Sequence, residues 1–251
     1  MRVTFEITPS DVEVARACYS SHASNPFVVA RLRRNVEGKR DPVSNETFWK
    51  TLTECLLTTQ QRSGPESAVS RFIRTTPYPL ALSTCLGQVD LEPYVTSVLT
   101  QHGGVRRAPT IAQQLAQNLG KLTSGHWSIL LPLISQLDSP HSPASERSTA
   151  QRLAYELAGI GPKQSRNLLQ NLGLSQYEIP IDSRVMKWMH TNLGFSLTSG
   201  ALLADAQYFE LVMDAFQELC RRAELLPCLL DAAIFVTFDN PGGWTDANVA
   251  W

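Results

Sequence analysis

The chain has 251 residues, of which 43% are hydrophobic and 18% charged, with a net charge of -1. This composition is typical of a soluble globular protein of one large domain or two interlocked ones, and it excludes disordered, collagen-like and small disulfide-stapled proteins. No run of 18 apolar residues occurs and the N-terminus lacks the apolar stretch of a signal peptide, so we expect a cytoplasmic protein with no membrane contact.

Helical periodicity dominates the sequence, and no convincing alternating strand follows the first seven residues. A Ser- and Pro-rich loop at 139–145 divides the helical segments into two runs. In chain order the pattern predicts helices at 45–61, 65–74, 91–102, 110–121, 127–137, 147–158, 163–172, 183–193, 205–223 and 226–237. The sequence therefore predicts an all-α fold of about ten or more short helices.

Charge is distributed unevenly along the chain. Residues 1–202 carry 20 Lys and Arg against 15 Asp and Glu, a balance of +5, whereas residues 203–251 carry 2 against 8, a balance of -6. The basic residues include Arg31, Arg33, Arg34, Lys39, Arg40, Arg106 and Arg107. A basic face suits a polyanion such as nucleic acid, although asymmetry of this size is also common in proteins that bind none.

The metal-ligating residue types show no ligand pattern. The five cysteines are odd in number and scattered, and the closest pair, Cys220 and Cys228, cannot complete a four-cysteine cluster or zinc site. The five histidines have no ligand spacing either. We expect reduced thiols and no metal or other cofactor.

The segment from Leu153 to Met189 carries the most chemical information. It reads as a helix, the turn Ala158-Gly159-Ile160-Gly161, and a second helix that opens at Pro162. The two glycines permit a tight turn and leave backbone N–H groups uncovered at a helix N-terminus, where a phosphate can bind. Ile160 is expected to point inward and pin the two helices together.

Two polar residues follow this turn at informative positions. Lys163 falls in the first turn of the second helix, where the helix dipole disfavours a cation, and nineteen residues later Ile181-Asp182 ends an apolar run. Lys163 is either a solvated surface lysine or an amine that the site uses. Asp182 is either a simple helix cap, worth about 1 kcal/mol, or a functional carboxylate.

The motifs L-A-G-I-G-P-K and I-P-I-D-S-R-V resemble the helix-hairpin-helix (HhH-GPD) DNA glycosylase superfamily. That superfamily shares an L-P-G-[VI]-G hairpin and an Asp about twenty residues further on, and a lysine at the position of Lys163 marks its lyase-competent branch, the 8-oxoguanine glycosylase and endonuclease III types. The resemblance covers residues 46–195. This sequence lacks the four-cysteine iron–sulfur loop that endonuclease III carries.

The resemblance implies a fold and a site. A helical bundle at 46–178 would contain the helix-hairpin-helix (153–173), and residues 1–45 plus 179–251 would form a second lobe, with double-stranded DNA in the cleft between them and no oligomeric partner. Lys163 and Asp182 would be catalytic, and Gly159, Gly161, Lys163 and Gln164 would hold the DNA backbone. The acidic C-terminal segment should lie away from the DNA.

Further site residues follow from weaker parts of the resemblance. The segment 54–61, ECLLTTQQ, resembles the helix whose end supplies a wedge, so Gln60 would fill the gap that a flipped base leaves; the alternative is an exposed glutamine at a helix end. Short archaeal 8-oxoguanine glycosylases end on a lysine that touches the base, but this chain carries Trp244 and Trp251 instead. These rings would stack on the base or pack on the core, and we expect packing for at least one.

The implied activity is excision of a damaged or modified base by cleavage of its N-glycosidic bond, followed by either an efficient or a weak Lys-dependent lyase step. The default substrate is an oxidised purine such as 8-oxoguanine, chosen by elimination. Two alternatives stay open: the same chemistry on a hypermodified base of phage DNA in antiviral defence, and a non-catalytic helix-hairpin-helix module that only binds DNA.

Overall fold

A computed structural model describes residues 4–61, 64–138, 140–196, 200–238 and 244–245 of the chain. Within these residues the protein is all helical and has no strand, which confirms the predicted fold class. The α-helices are α1 (Pro9–His22), α2 (Pro26–Arg31), α3 (Asn45–Leu57), α4 (Ala68–Ile73), α5 (Leu82–Leu86), α6 (Leu91–His102), α7 (Ala108–Lys121), α8 (Trp127–Ser135), α9 (Pro143–Glu156), α10 (Pro162–Asn171), α11 (Ser183–Leu193), α12 (Ala206–Ala223) and α13 (Pro227–Thr237). Among these helices, none has both the length and the hydropathy that a bilayer crossing requires.

The predicted helices agree with the observed ones to within a few residues, with two kinds of difference. The Ser- and Pro-rich loop is shorter than predicted, because Ser142 and Ser145 form a capping box and Pro143 occupies the first turn of α9. Helices α1, α2 and α5 were not predicted. Two of these three are only five or six residues long, too short for a clear periodic pattern.

Buried hydrophobic residues form two large clusters that divide along the sequence. One cluster takes its residues from between Phe48 and Leu174, and the other from Ala15 and from the stretch between Ile179 and Ile234. The predicted lobes, 46–178 and 1–45 with 179–251, stay a proposal, which these two clusters support.

The turn between the two clusters is held by one fully buried carboxylate on α9. Oε1 of Glu146 accepts the N–H of Gln176 at 2.7 Å, and Oε2 accepts the N–H groups of Tyr177 and Glu178 at 2.8 and 2.7 Å. The ring of His141 also lies within hydrogen-bond distance of Oε1, at 2.7 Å. Three backbone donors on one ionic acceptor fix the path of the chain just before it reaches Asp182.

A second buried carboxylate joins this turn to three helices. Glu178 is fully buried and accepts hydrogen bonds from Arg147 on α9 and Arg166 on α10, each at 2.9 Å. Gln217 on α12 donates to the same carboxylate at 3.0 Å. Because both carboxylate oxygens of Glu178 have charged donors, its buried charge is compensated. The direction of these hydrogen bonds fixes the turn relative to the three helices.

We expect Glu146→Gln to lower the free energy of unfolding by about 2 to 3 kcal/mol, because the amide group cannot accept from all three buried N–H groups. Urea denaturation of the purified variant measures this change. Glu218→Gln is the control, since Glu218 pairs with Arg221 and Arg222 at the surface of its own helix and such pairs contribute less than about 1 kcal/mol. Equal effects of the two substitutions would contradict the positioning role of Glu146.

Candidate active site

The hairpin between α9 and α10 is held from behind by a buried asparagine. Asn118 on α7 donates from Nδ2 to the carbonyl oxygen of Ala158 at 2.9 Å, and its Oδ1 accepts the N–H of the same residue at 2.8 Å. Ile160 is 3% exposed and packs into the core, as predicted. Gly159 has a φ of 77°, and a Cβ there would lie 2.4 Å from the side chain of Gln114. The positive φ therefore favours glycine at this position, and a Cβ would also have to displace the end of the flexible Gln114 side chain.

The first turn of α10 faces open space. Gly161 is its N-cap residue, and no side chain caps the helix. A Cβ on Gly161 would meet no atom within 4 Å. The amides of this turn lie at the positive end of the helix dipole without a capping side chain, which is the arrangement that binds a phosphate.

Lys163 and Asp182 line one cleft from two different helices. Lys163 is half-buried, and among the described residues its amine makes no hydrogen bond or ion pair. Asp182 is the N-cap of α11, and its Oδ1 accepts the N–H groups of Arg184 and Val185 at 2.8 and 3.2 Å. Its Oδ2 accepts no hydrogen bond from the described residues and lies 3.8 Å from Nε of Arg184. One carboxylate oxygen thus holds the helix while the other is left for the cleft.

Gln60 lies in the loop after α3, at the edge of the same cleft. Its side chain is exposed and its φ is 58°, a strained conformation for a residue other than glycine. The next residue anchors the loop, since Oε1 of Gln61 accepts the N–H of Arg106 at 2.8 Å. Such strain is maintained only where surrounding contacts impose it, and here it presents Gln60 to the cleft.

The side chain of Gln164 is used inside the protein, and its role in holding the DNA backbone stays a prediction for its main chain. Gln164 is buried, and its Nε2 donates to the carbonyl oxygen of Cys55 at 2.8 Å and to the hydroxyl of Thr59. These bonds tie α10 to the end of α3. The side chain therefore positions the loop of Gln60, and only the backbone of Gln164 is left for a phosphate.

One cleft of about 1200 Å³ brings the predicted residues together. Its lining includes Gln60, Gly159, Gly161, Lys163, Gln164 and Asp182. These residues come from the end of α3, the hairpin and the start of α11. The cleft thus combines an unpaired amine, a carboxylate oxygen and a helix N-terminus without a capping side chain.

Trp244 and Trp251 were predicted either to stack on the base or to pack on the core, with packing expected for at least one of them. Trp244 is 4% exposed, and its ring centre lies 4.8 Å from that of Phe27 and 5.8 Å from that of Phe235. Trp244 therefore packs on the core, and the alternative prediction that it stacks on a flipped base is wrong, because neighbouring side chains enclose its ring. Trp251 lies outside the described residues.

The predicted basic face is only partly available. Arg31 is buried, Arg40 donates to the carbonyl oxygen of Gly173 and pairs with Asp138, and burial, with the charge of Arg31 nearby, lowers the pKa of Arg34 to about 9. The guanidinium groups of Arg34 and Arg40 are therefore used within the protein. Of the basic residues named above, Arg31 and Arg106 line the cleft.

Sequence reasoning missed a buried polar group in the cleft wall. Asp231 on α13 accepts a hydrogen bond from Gln170 at 3.0 Å and lies 3.8 Å from Nη1 of Arg31. Burial, with the charge of Asp182 added to it, raises the pKa of Asp231 to about 7 against the opposing effect of Arg31. The expectation that the acidic segment lies away from the cleft is therefore wrong for Asp231. The available signal was a lone charged residue in the apolar stretch PCLLDAAIFVT.

Comparison with solved structures shows that this chain shares the fold of two DNA glycosylases. The 8-oxoguanine DNA glycosylase of Methanocaldococcus jannaschii is 14% identical, with a TM-score of 0.65 over 91% of this chain and 95% of that one. The 8-oxoguanine DNA glycosylase of Thermotoga maritima is 16% identical, with a TM-score of 0.67 over 92% and 98%. No protein-family model matches the chain, and no curated protein matches its sequence.

Among the described residues, no group of three or more His, Cys, Asp or Glu side chains is placed to hold a metal ion. The five cysteines are free. Both Cys220 and Cys228 are buried, and burial raises the pKa of each thiol. Thiols in such surroundings are poor nucleophiles, so the amine of Lys163 is the strongest candidate nucleophile of the site.

The two hairpin glycines are expected to respond differently to substitution. Gly159→Ala should destabilise the protein by more than about 1 kcal/mol, because the left-handed backbone and Gln114 both oppose a Cβ. Gly161→Ala should fold normally, since its Cβ meets open space, but it should weaken duplex DNA binding by covering the amides. Thermal unfolding and fluorescence anisotropy measure the two effects. Wild-type DNA affinity in folded Gly161→Ala would contradict the hairpin's contact with DNA.

Proposed function

We propose that this protein is a DNA N-glycosylase that extrudes a damaged or modified nucleotide from duplex DNA and cleaves its glycosidic bond. The observation that carries the proposal is that the amine of Lys163 and the free oxygen of Asp182 line the same cleft as the hairpin amides and Gln60. A module that only binds DNA would need the hairpin alone. The fold shared with two 8-oxoguanine DNA glycosylases supports the same conclusion.

Binding would begin at the phosphates. The amides of Gly159, Gly161 and Lys163 would hold the backbone of one strand without reading its sequence. Extrusion of the nucleotide costs a few kcal/mol of stacking and pairing energy, and Gln60 would occupy the gap in the duplex. The loop contacts of Gln61 and Gln164 keep Gln60 in place for this role.

Lys163 would supply the nucleophile. The lone pair of Nζ attacks C1′, the bond between C1′ and the base breaks, and its electron pair leaves with the base, which takes up a proton. Nζ then loses a proton and the sugar ring opens, giving an imine between Nζ and C1′ while O4′ gains a proton. Oδ2 of Asp182 would stabilise the positive charge that develops on the sugar.

The fate of the imine decides the product. Loss of the C2′ proton expels the 3′ phosphate and nicks the strand, whereas hydrolysis of the imine before this step leaves an abasic site and returns free Lys163. The proposed substrate is an oxidised purine such as 8-oxoguanine in double-stranded DNA, acted on by a monomer in the cytoplasm. Excision of a hypermodified phage base by the same chemistry would give a role in antiviral defence.

Borohydride trapping on a panel of duplexes tests this proposal. The panel contains 8-oxoguanine, an oxidised pyrimidine, uracil, an abasic site and glucosylated hydroxymethylcytosine, and base release is followed in parallel. We expect a covalent adduct that Lys163→Gln abolishes, and a loss of excision of at least about 100-fold in Asp182→Asn. Neither substitution should unfold the protein, because Asn keeps the acceptor that caps α11.

Two control variants isolate the site. Asp205→Asn changes an N-cap of α12 that accepts the N–H of Tyr208 at 2.8 Å outside the cleft lining, and Lys187→Gln changes an exposed lysine. Both should keep full activity. Excision by Lys163→Gln at the wild-type rate would remove Lys163 from the mechanism. Base release without an adduct would make the enzyme monofunctional, and binding without either signal would indicate a non-catalytic module.

A further inference from the structure

Arg31 and Asp231 face each other across the wall of the cleft, on α2 and α13. They are 4% and 7% exposed, so both are buried. Oδ2 of Asp231 lies 3.8 Å from Nη1 of Arg31, too far for a hydrogen bond, and accepts instead from Gln170 at 3.0 Å. The two groups are therefore neighbours that do not satisfy each other.

Each group has an atom left over. Nη1 of Arg31 is buried and has no hydrogen-bond partner among the described residues. No hydrogen bond from the described residues reaches Oδ1 of Asp231 either. No nitrogen of the Arg31 guanidinium donates a hydrogen bond to the described residues. A buried donor without an acceptor costs free energy, and because Arg31 lines the cleft, a ligand there can supply an acceptor to the guanidinium. The wall thus presents one hydrogen-bond donor beside one acceptor.

Aromatic rings flank this pair. Phe27 and Phe235 both line the cleft, and their rings stack with centres 4.8 Å apart. The guanidinium carbon of Arg31 lies 5.5 Å from the centre of the Phe27 ring. The guanidinium carbon of Arg184 lies 3.9 Å from the centre of the Phe235 ring, so these rings form an apolar wall and not a stacking platform. A polar pair in such a wall suits a ligand with a hydrogen-bonding edge, such as a nucleobase.

We propose that Arg31 and Asp231 are specificity-determining residues that read the edge of the extruded base, and that they select a base with both a carbonyl oxygen and an exocyclic amine. This inference rests on the proposed function. Arginine pairs best with a carbonyl oxygen such as O6 of guanine, and a carboxylate accepts from an amine such as N4 of cytosine. Guanine and cytosine derivatives meet both requirements. Uracil, thymine and hypoxanthine derivatives lack the amine, and adenine lacks the carbonyl.

Two pairs of bases test the proposal, because the members of each pair differ at the amine. The purine pair is 8-oxoguanine and 8-oxohypoxanthine, and the pyrimidine pair is 5-hydroxycytosine and 5-hydroxyuracil. Affinity is measured well above pH 7, where Asp231 is an ionised carboxylate. The duplexes for this measurement carry 2′-fluorinated nucleotides, whose glycosidic bond resists cleavage, and excision is measured on the natural sugars. We expect the protein to prefer the amine-bearing member of at least one pair by about 10-fold or more. The pair that shows the preference distinguishes a purine from a pyrimidine substrate.

Asp231→Asn should remove most of the preference within the pyrimidine pair, because its amide can rotate to donate to O4 of 5-hydroxyuracil, which replaces the amine. It should reduce the preference within the purine pair, where hydrogen replaces the amine, because a neutral amide is a weaker acceptor than a carboxylate. Arg31→Lys should weaken binding of both members, since it keeps the charge but loses the planar fork. Asp214→Asn is the matched control: Asp214 pairs with Arg147 at 2.7 Å outside the cleft lining, and the wild-type ratio should persist.

The outcomes separate the two proposals. An equal affinity for both members of each pair, or the same ratio in wild type and Asp231→Asn, would overturn the assignment of Arg31 and Asp231. A preformed abasic site contains no base. Trapping of the wild-type protein on it therefore reports only on the imine chemistry. A preference in affinity without trapping would support the base-reading pair while rejecting Lys163 as the nucleophile.

Discussion

The geometry of the cleft depends on a carboxylate that never reaches it. Glu146 accepts three consecutive backbone N–H groups, at Gln176 to Glu178, and thereby fixes the turn that leads to Asp182. Glu178 then ties the same turn to α9, α10 and α12. Because charged acceptors bind amides strongly and in defined directions, these bonds fix the backbone just before Asp182. Lys163 and Asp182 line the same cleft although they belong to different helices.

Buried charges in this protein fall into two kinds. Glu146 and Glu178 are fully compensated by donors and hold the fold together. The amine of Lys163, one oxygen of Asp182 and Nη1 of Arg31 keep unused capacity and line the cleft. Hydrogen-bonding capacity that the protein leaves unused along one cleft is available to a ligand. The proposed glycosylase chemistry assigns each of them a partner on the extruded nucleotide.

The local part of the site could be predicted from the sequence. The hairpin glycines, the helix start at Pro162 and the cap at Asp182 are each dictated by neighbouring residues, since turns and caps depend on a few adjacent dihedral angles. Most helix positions could be predicted for the same reason. The two shortest helices, α2 and α5, could not be predicted, because five or six residues do not establish a period.

The sequence by itself determined the all-helical class, the hairpin and the pairing of Lys163 with Asp182 as candidates. Only the tertiary structure decided which polar side chains face the cleft. Gln164 was expected at the DNA backbone and is buried against α3, whereas Asp231 was expected away from the cleft and lines it. Such outcomes depend on packing between helices that lie far apart in the chain, and the burial that results from that packing is not encoded in any local pattern of residues.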